Sequence, residues 1–403
     1  MAAPWQTKLA VQSQGDHTMN SNRRQALAFL FAAAANPAIA ADKPAQLGRW
    51  SAAETAAQAL VTERLTPGVQ ICVRRNGQTL FSRGFGKADL EDGAPMTPQS
   101  IGKIGSVTKQ FTAAAILLLA EDGKLTLDDL LAKYLPDFPR AGELTLRRML
   151  NHTSGLGSYT DTAKLQDFLN MSRLDRTTDE LVALMQAGDK VQVFEPGASL
   201  AYSNTAFVLL GVVIEKVTGH PYGAFFQSRL FGPAAMTRTA VDNMSEVLPG
   251  RSNGYSNDAK VPGGFTNASF ISMTIPGAAG NLRSCMSDLC AWHEALLGGR
   301  ILKPASLQTM LTPAQLNDGS LPKSPRESAD GKMRYGMGLF LDDSDGHRCI
   351  SHGGGIQGFG TDLRTYPDQN LTLATIFNTD SGPPPPRAKA LRTALLTAAL
   401  AQI

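Results

Sequence analysis

The stretch "GSVTKQFTAAAILLLAEDG", residues 105–123, decides how the chain is read. Phe111, Ile116, Leu117 and Leu118 follow Ser106, and Gly123 supplies a stop, so a helix is expected to begin at Ser106. "AAAILLLAE" leaves almost no polar face, which predicts burial nearly all round. Ser106 and Lys109 stand three apart at the start. Side chains so spaced on a helix face the same way, with Cβ atoms about 5–6 Å apart, so the amine can reach the hydroxyl. A helix N-terminus adds partial positive charge and free N–H groups, both favourable to a developing anion. A lysine near its ordinary pKa of about 10.4 is a poor base, and burial is one way to lower it. A second Ser-x-x-Lys, Ser320 to Lys323, fails these tests. Pro322 interrupts helical hydrogen bonding, and "LNDGSLPKSPRES" is the text of an exposed loop, so this copy reads as chance.

Outward from that helix, β-rich text lies toward both ends of the chain. "SAAETAAQALVTERL" (51–65) reads as an amphipathic helix, and "GVQICVRRNGQTLFSRGFG" (68–86) as a hairpin turning at Asn76-Gly77. From there to about residue 240 the text is mainly helix and loop. Another helix is expected at 284–297, before Gly298-Gly299. Four short runs, "YGMGLFLD", "HRCISH", "FGTDLRTY" and "LTLATIFN", then read as an antiparallel meander. An apolar-faced helix, "RAKALRTALLTAALAQI", follows four prolines at 383–386. The economical architecture is α+β, with one antiparallel sheet built from both chain ends and flanked by helices, and a mainly helical insert packed beside it. Residues 41–105 and 245–403 would form the sheet-containing lobe and 106–244 the helical one, within a single catalytic domain at 41–403.

The 403 residues are 43% hydrophobic and 18% charged, with a formal net charge of +3. No dense basic stripe points to nucleic acid. No apolar run reaches the roughly 20 residues of a membrane span. The segment from Met19 has a charged start (Arg23, Arg24), an apolar stretch and Ala-Ile-Ala at 38–40, the three parts of a secretory signal. Residues 1–40 are therefore expected to be a leader, with Met19 the true start and a periplasmic or secreted destination. The paired arginines also permit twin-arginine export. Cys72, Cys285, Cys290 and Cys349 form neither a disulfide framework nor a metal-ligand spacing and are expected to be buried free thiols. No metal and no cofactor is expected.

Two further stretches bear on Ser106. Tyr202-Ser203-Asn204 follows a Pro-Gly turn and precedes the helical text "TAFVLLGVVIEKVTG", which sets Tyr202 at an element boundary. "HGGG" at 352–355 ends a short strand, where glycines let a backbone approach a ligand closely. A second Tyr-Ser-Asn at 255–257 lacks the following helix and is set aside. His152, in "NHTSGL", reads as structural, and no Gly-x-Ser-x-Gly elbow is present.

Together these pieces resemble the serine β-lactamase and penicillin-binding superfamily. The resemblance is to its branch of class C β-lactamases, D-Ala-D-Ala carboxypeptidases, D-aminopeptidases and family VIII esterases. It spans residues 67–380 and rests on "IGSVTKQFTAAAILLLAEDGKLTLDD", "RRMLNHTSGL", "PGASLAYSNTAFVLLGVVIEKVTG" and "SHGGGIQGFGTDLRTYPD". It implies an acyl-enzyme on Ser106, with Lys109 accepting its proton or keeping Tyr202 ionised. Tyr202 would serve as base and then as acid to the leaving group. Asn204 would hold the substrate's acyl-side carbonyl or amide, and the N–H groups of Ser106 and Gly355 would form the oxyanion hole. His352 departs from the lysine usual in class C β-lactamases. A histidine is cationic only part of the time near neutrality, so a role in holding a substrate carboxylate would depend on pH. That shifts the expectation away from β-lactams alone, toward D-alanyl peptides, peptidoglycan-derived amides or short-chain esters. A binding module acylated at the same serine without turnover is the alternative. The oligomeric state is not legible.

Overall fold

The computed structural model describes residues 48–161, 170–188, 191–323, 330–380 and 382–401; the expected leader at 1–40 lies outside them. The elements that position the site are few. In chain order they are helix α1 (Ser51–Thr62), strands β1 (Gly68–Arg75) and β2 (Gln78–Gly86), and helices α2 (Lys109–Glu121), α3 (Asn204–Thr218) and α4 (Met286–Leu297). Strands β3 (Ile350–Ile356), β4 (Phe359–Tyr366) and β5 (Leu371–Phe377) and helix α5 (Pro385–Leu400) complete them.

The five strands form one antiparallel sheet in the order β3-β4-β5-β1-β2. Its seam is β1 against β5, with Val69 opposite Phe377 and Arg75 opposite Leu371. The sheet is thus closed by both chain ends, as the text suggests. The first hairpin turns where expected, with φ of 50° at Asn76 and 76° at Gly77. A two-residue turn needs positive φ at both positions, and Asn-Gly supplies it cheaply.

Side chains alternate across β1 with the period of two that a strand imposes. Val69, Ile71 and Val73 enter a cluster with Leu60 of α1 and Leu391 and Leu395 of α5. Cys72 faces the other way, into the cluster holding Cys290 and Trp292 of α4. Both faces are therefore covered, which is why β5 is buried at every residue. α5 begins on Pro385, because proline at a helix's first position lacks only an N–H that has no helical partner anyway. All four cysteines are free and buried.

One expected strand is absent. "YGMGLFLD" makes only isolated bridges, Tyr335 to Phe340 and Phe340 to Ser351. Gly338 takes φ +74°, and a Cβ there would lie 2.8 Å from the carbonyl oxygen of Lys109. The segment turns tightly over the start of α2 and does not run along the sheet. The meander therefore has three strands. "HRCISH" divides between β3 and a small separate hairpin, Asp343–Ser344 with His347–Arg348.

Helix α2 is tied to the sheet through a buried polar chain. Gln110 Oε1 accepts from Trp292 Nε1 at 3.1 Å and from His293 Nε2 at 2.7 Å. His293 Nδ1 in turn meets the Thr365 hydroxyl at 2.7 Å. With Nε2 donating, the ring is neutral when Nδ1 accepts, and burial lowers its pKa to about 3. The unfolded chain takes up this proton near pH 6.5 and the folded chain only near 3. Stability from this group is complete above the unfolded value and drains away as pH falls between the two. Urea midpoints at about pH 7, 5.5 and 4.5 should show wild type losing stability faster than His293→Gln over that range. Parallel profiles would remove the histidine from the acid response.

Candidate active site

Ser106 does not open the α-helix as its sequence suggests. It lies in a 3-10 turn, Gly105–Thr108, and α2 proper begins at Lys109. The turn is entered through Gly105, whose φ is +51°. The tighter turn still sets the pair on one side, with Lys109 Nζ 3.1 Å from Ser106 Oγ. Burial of α2 is as complete as the text implies, with every residue from Lys109 to Leu119 buried.

Lys109 itself is 0% exposed. Its Nζ reaches three acceptors: Ser106 Oγ, Asn204 Oδ1 at 2.7 Å and the Ala279 carbonyl oxygen at 2.9 Å. Among the described residues no carboxylate pairs with it. Burial therefore dominates and holds its pKa well below the ordinary lysine value. A neutral amine in this cage can donate to Asn204 and Ala279 and accept from the Ser106 hydroxyl. The geometry thus suits proton uptake from that oxygen.

The second wall is β3, the edge strand of the sheet. Ser351 exchanges both backbone hydrogen bonds with Phe340, at 2.9 and 2.8 Å, on the side away from β4. Alternate residues of a strand point their backbone groups the same way, so the Gly353 and Gly355 N–H groups also leave the sheet edge. There the strand lies directly on the serine turn. A Cβ on Gly354 would stand 2.0 Å from the Ile104 carbonyl oxygen and 3.3 Å from Ser106 N. A Cβ on Gly105 would stand 3.1 Å from Gly355 N. Only glycines allow this approach, and it brings the Gly355 N–H beside the residue that carries the hydroxyl.

Tyr202 completes the enclosure, its ring centroid 4.7 Å from Lys109 Nζ. His152 brackets it. The His152 carbonyl accepts from Ala201 N at 3.1 Å, its Nδ1 accepts from Ser203 N at 3.1 Å, and its ring lies 4.3 Å from the Tyr202 ring. An acceptor Nδ1 requires a neutral ring, and burial, with Lys109 and His352 nearby, keeps the His152 pKa well below its ordinary value. His152 does this at φ +62°, a conformation few residues other than glycine adopt. Its reading as structural is consistent with that placement, and no acid is hydrogen-bonded to it among the described residues.

Asn204, the first residue of α3, is brought to the site but already engaged. Its Oδ1 takes Lys109, and its Nδ2 donates to Thr160 Oγ1 at 3.0 Å. It positions the amine at least as directly as it could hold a substrate. His352 is also present, but only 1% exposed. Its Nδ1 lies 2.6 Å from the Gly353 carbonyl oxygen and so donates, while Nε2 meets the Tyr335 hydroxyl at 3.2 Å. The imidazole is thus buried, with both ring nitrogens against protein groups. Tyr335 is the participant the sequence did not announce. It is 1% exposed and packs against His152, with ring centroids 4.8 Å apart. Its only textual signal is the pair of glycines, Gly336 and Gly338, that fold its loop onto α2. Ser320 and Lys323 are both exposed, and Tyr255–Asn257 pairs with Phe265–Asn267 as a short strand, so neither motif copy joins the site. Among the described residues no group of three His, Cys, Asp or Glu converges as a metal site.

The profile of the Beta-lactamase family matches residues 53–398, and the chain belongs to that family. It is 31% identical to penicillin-binding protein 4* of Bacillus subtilis over 76% of this chain and 67% of that protein. It is 27% identical to a D-aminopeptidase of Gluconobacter oxydans, over 85% of this chain and 61% of that one. The chain thus spans about two thirds of the length of these curated relatives. A D-stereospecific amidohydrolase from Streptomyces superposes with a TM-score of 0.71 at 32% identity, covering 88% of this chain and 99% of its own. The D-amino acid amidase of Ochrobactrum anthropi gives 0.73 at 28% identity, covering 88% and 97%. The fold is β-lactamase/transpeptidase-like, and the protein is a β-lactamase-related serine hydrolase.

The glycine contact yields a paired prediction. Gly354→Ala must push β3 off the serine turn and with it the Gly355 N–H. The rate of p-nitrophenyl acetate hydrolysis should fall about 100- to 1000-fold, the usual loss for one oxyanion donor. A Cβ on Gly353 would meet only the Thr361 carbonyl oxygen at 3.6 Å. Gly353→Ala should therefore stay within about threefold of wild type. Equal losses in the two variants would show that the close approach is not what activity depends on.

Proposed function

We propose that the protein is an amidase or peptidase that cleaves the amide bond of a D-configured amino acid residue through an acyl-enzyme on Ser106. The single observation carrying the acyl-enzyme is the buried Lys109 amine bonded to the Ser106 hydroxyl. The substrate class is supported by relatives named as a D-aminopeptidase, a D-stereospecific amidohydrolase and a D-amino acid amidase. In this reading neutral Lys109 takes the Ser106 proton as Oγ adds to the substrate carbonyl. The resulting alkoxide sits between the N–H groups of Ser106 and Gly355. Tyr202 delivers a proton to the departing amine, and water later releases the acyl group by the reverse path. Asn204 holds Lys109 in line, and His352 and His152 fix the surroundings of Tyr202. The leader read at 1–40 would deliver this hydrolase outside the cytoplasm. N-terminal sequencing of the mature protein beginning after Ala40 checks it.

The test is a substrate panel on wild type and Ser106→Ala: D- and L-amino acid amides, D-Ala-D-Ala peptides, p-nitrophenyl esters of increasing chain length, and nitrocefin. D-amides should be turned over with kcat/KM well above their L counterparts, and Ser106→Ala should abolish both turnover and covalent fluorophosphonate labelling. A Ser106→Ala protein that still labelled would overturn the acyl-enzyme, and a preference for L-amides would overturn the substrate class. The 31% identity to a penicillin-binding protein favours one second reading, acylation without efficient release. Stable labelling by fluorescent penicillin with no turnover of any panel member would select it.

The base can be tested separately. A neutral amine is needed for proton uptake, so acylation should be full at high pH and fall as pH drops through the lowered Lys109 pKa. The acid limb of the labelling rate should therefore lie well below the ordinary lysine value, and Lys109→Ala should lose about 100- to 10,000-fold. A limb near pH 10 would overturn the lowered Lys109 pKa on which this assignment rests, and an unchanged rate in Lys109→Ala would exclude Lys109 as this base.

A further inference from the structure

The glycine strand β3 has a second face. Gly354 presses forward onto the serine turn, while Gly353 and Gly355 alternate with it and stay exposed on the opposite side of the sheet. There Gly353 stands across from Asp362 and then Thr375, and Gly355 across from Gly360 and then Phe377. Half of these positions carry no side chain, and a cavity of about 680 Å³ opens between the sheet edge and the first turns of α5. Ser106, Lys109 and Tyr202 do not line it. One strand separates it from the Ser106 turn. Neither a positive φ nor a close neighbour requires glycine at 353, where a Cβ would meet only the Thr361 carbonyl oxygen at 3.6 Å. What glycine does there is leave the cavity its room.

Three cations line this cavity, Arg364, Lys389 and Arg392, and all of them are reachable from solvent. Arg364 gives Nε to Asp362 at 2.6 Å and Nη1 to the Ser344 hydroxyl at 3.1 Å, and its side chain remains 23% exposed. Arg392 clasps Asp345 through Nε at 2.6 Å and Nη2 at 3.3 Å, and remains 19% exposed. Lys389 is exposed and forms no ion pair among the described residues. Two acids therefore answer three cations, and one positive charge is left over. Between the charges the open surface is hydrocarbon. It consists of the Cα atoms of Gly353 and Gly355, the Pro385 ring, Ala388 and the methylene stems of Lys389 and Arg392.

We infer that this cavity is a second binding site, for a carboxylate carried on a medium-length alkyl chain, and that its occupancy bears on the oxyanion strand from behind. The carboxylate lies among Lys389, Arg392 and Arg364 and supplies the missing negative charge. Charge-assisted hydrogen bonds from guanidinium and ammonium groups suit that head. The alkyl chain lies along the glycines and against Ala388. The volume falls within the roughly 300–1,000 Å³ usual for small-molecule pockets, more than a bare anion would fill. A chain packed there braces the strand whose front carries the Gly355 N–H. That coupling rests on the role given to Gly355 in the proposed function; the site does not.

The test separates the two. Octanoate, octanol, octylammonium and acetate are titrated calorimetrically into the whole protein, each below its micellar concentration. Octanoate should bind saturably, and the other three at least tenfold more weakly. Ala388→Phe, which fills the cavity from the helix side, should abolish octanoate binding, and Lys389→Gln should weaken it at least threefold. Should Ala388→Phe fail to fold by circular dichroism, Lys389→Gln, at an exposed position, decides. No saturable octanoate binding overturns the site, as does binding unaltered in either variant. Octanol or octylammonium binding as tightly as octanoate overturns the anionic head, and acetate doing so overturns the role of the hydrocarbon. On the enzyme, saturating octanoate should change kcat for p-nitrophenyl acetate at least twofold in wild type and leave Ala388→Phe unchanged. A change confined to KM would report competition at the catalytic pocket and overturn the coupling, as would no change at all. The binding outcomes do not depend on which amide the enzyme prefers, so failure of the substrate panel and failure of this site are told apart.

Discussion

The structure turns on a contact between two backbones. Gly354 lies where any Cβ would come within 2.0 Å of the Ile104 carbonyl oxygen. That approach presses the free edge of the sheet onto the turn carrying Ser106. Nothing local to residues 104–109 could supply a second N–H donor beside the hydroxyl. It comes from residue 355, on a strand whose place in the sheet depends on β4, β5 and β1 in turn. The seam between β1 and β5 therefore has a chemical consequence, because without it the edge strand has no fixed position. Backbone donors suit the task, since they are preorganised by the fold and cost no reorganisation when charge develops.

Lys109 imposes the second constraint. An amine with no carboxylate partner among the described residues survives burial because three dipolar acceptors cradle it and it can shed its proton. A salt bridge would stabilise the ammonium and so weaken the amine in the role of base proposed for it. Two aromatic rings lie against it. The Lys109 Nζ lies 4.7 Å from the Tyr202 centroid and 5.5 Å from that of Phe207. A ring face helps a cation without accepting its proton. The amine can then exist in either state at modest cost, which a proton shuttle requires.

The legible parts of this protein are those whose reasons are local. The apolar run of α2 has to be a buried helix, Asn76-Gly77 has to be a turn, and Ser106 and Lys109 share a side at either helical pitch. The glycines at 353–355 mark a close approach, though not what they approach. The parts that escaped reading have distant causes. The 3-10 form of the serine turn follows from Gly105 packing against Gly355. The loss of the "YGMGLFLD" strand follows from Gly338 meeting the Lys109 backbone. Tyr335 enters the site only because that loop folds over α2. His152 braces Tyr202 from fifty residues upstream, through its own backbone and one ring nitrogen.

His352 shows what placement adds to residue type. A histidine where relatives carry lysine invites comparison of cations. The ring is only 1% exposed, and its Nδ1 donates to the Gly353 carbonyl. What the position supplies is a fixed, hydrogen-bonded plate. Its Nδ1 is committed to Gly353, two residues before the oxyanion strand's donor, and its Nε2 to Tyr335, which packs on His152 and so on Tyr202. The ring thereby links the two walls of the site, the glycine strand and the tyrosine turn.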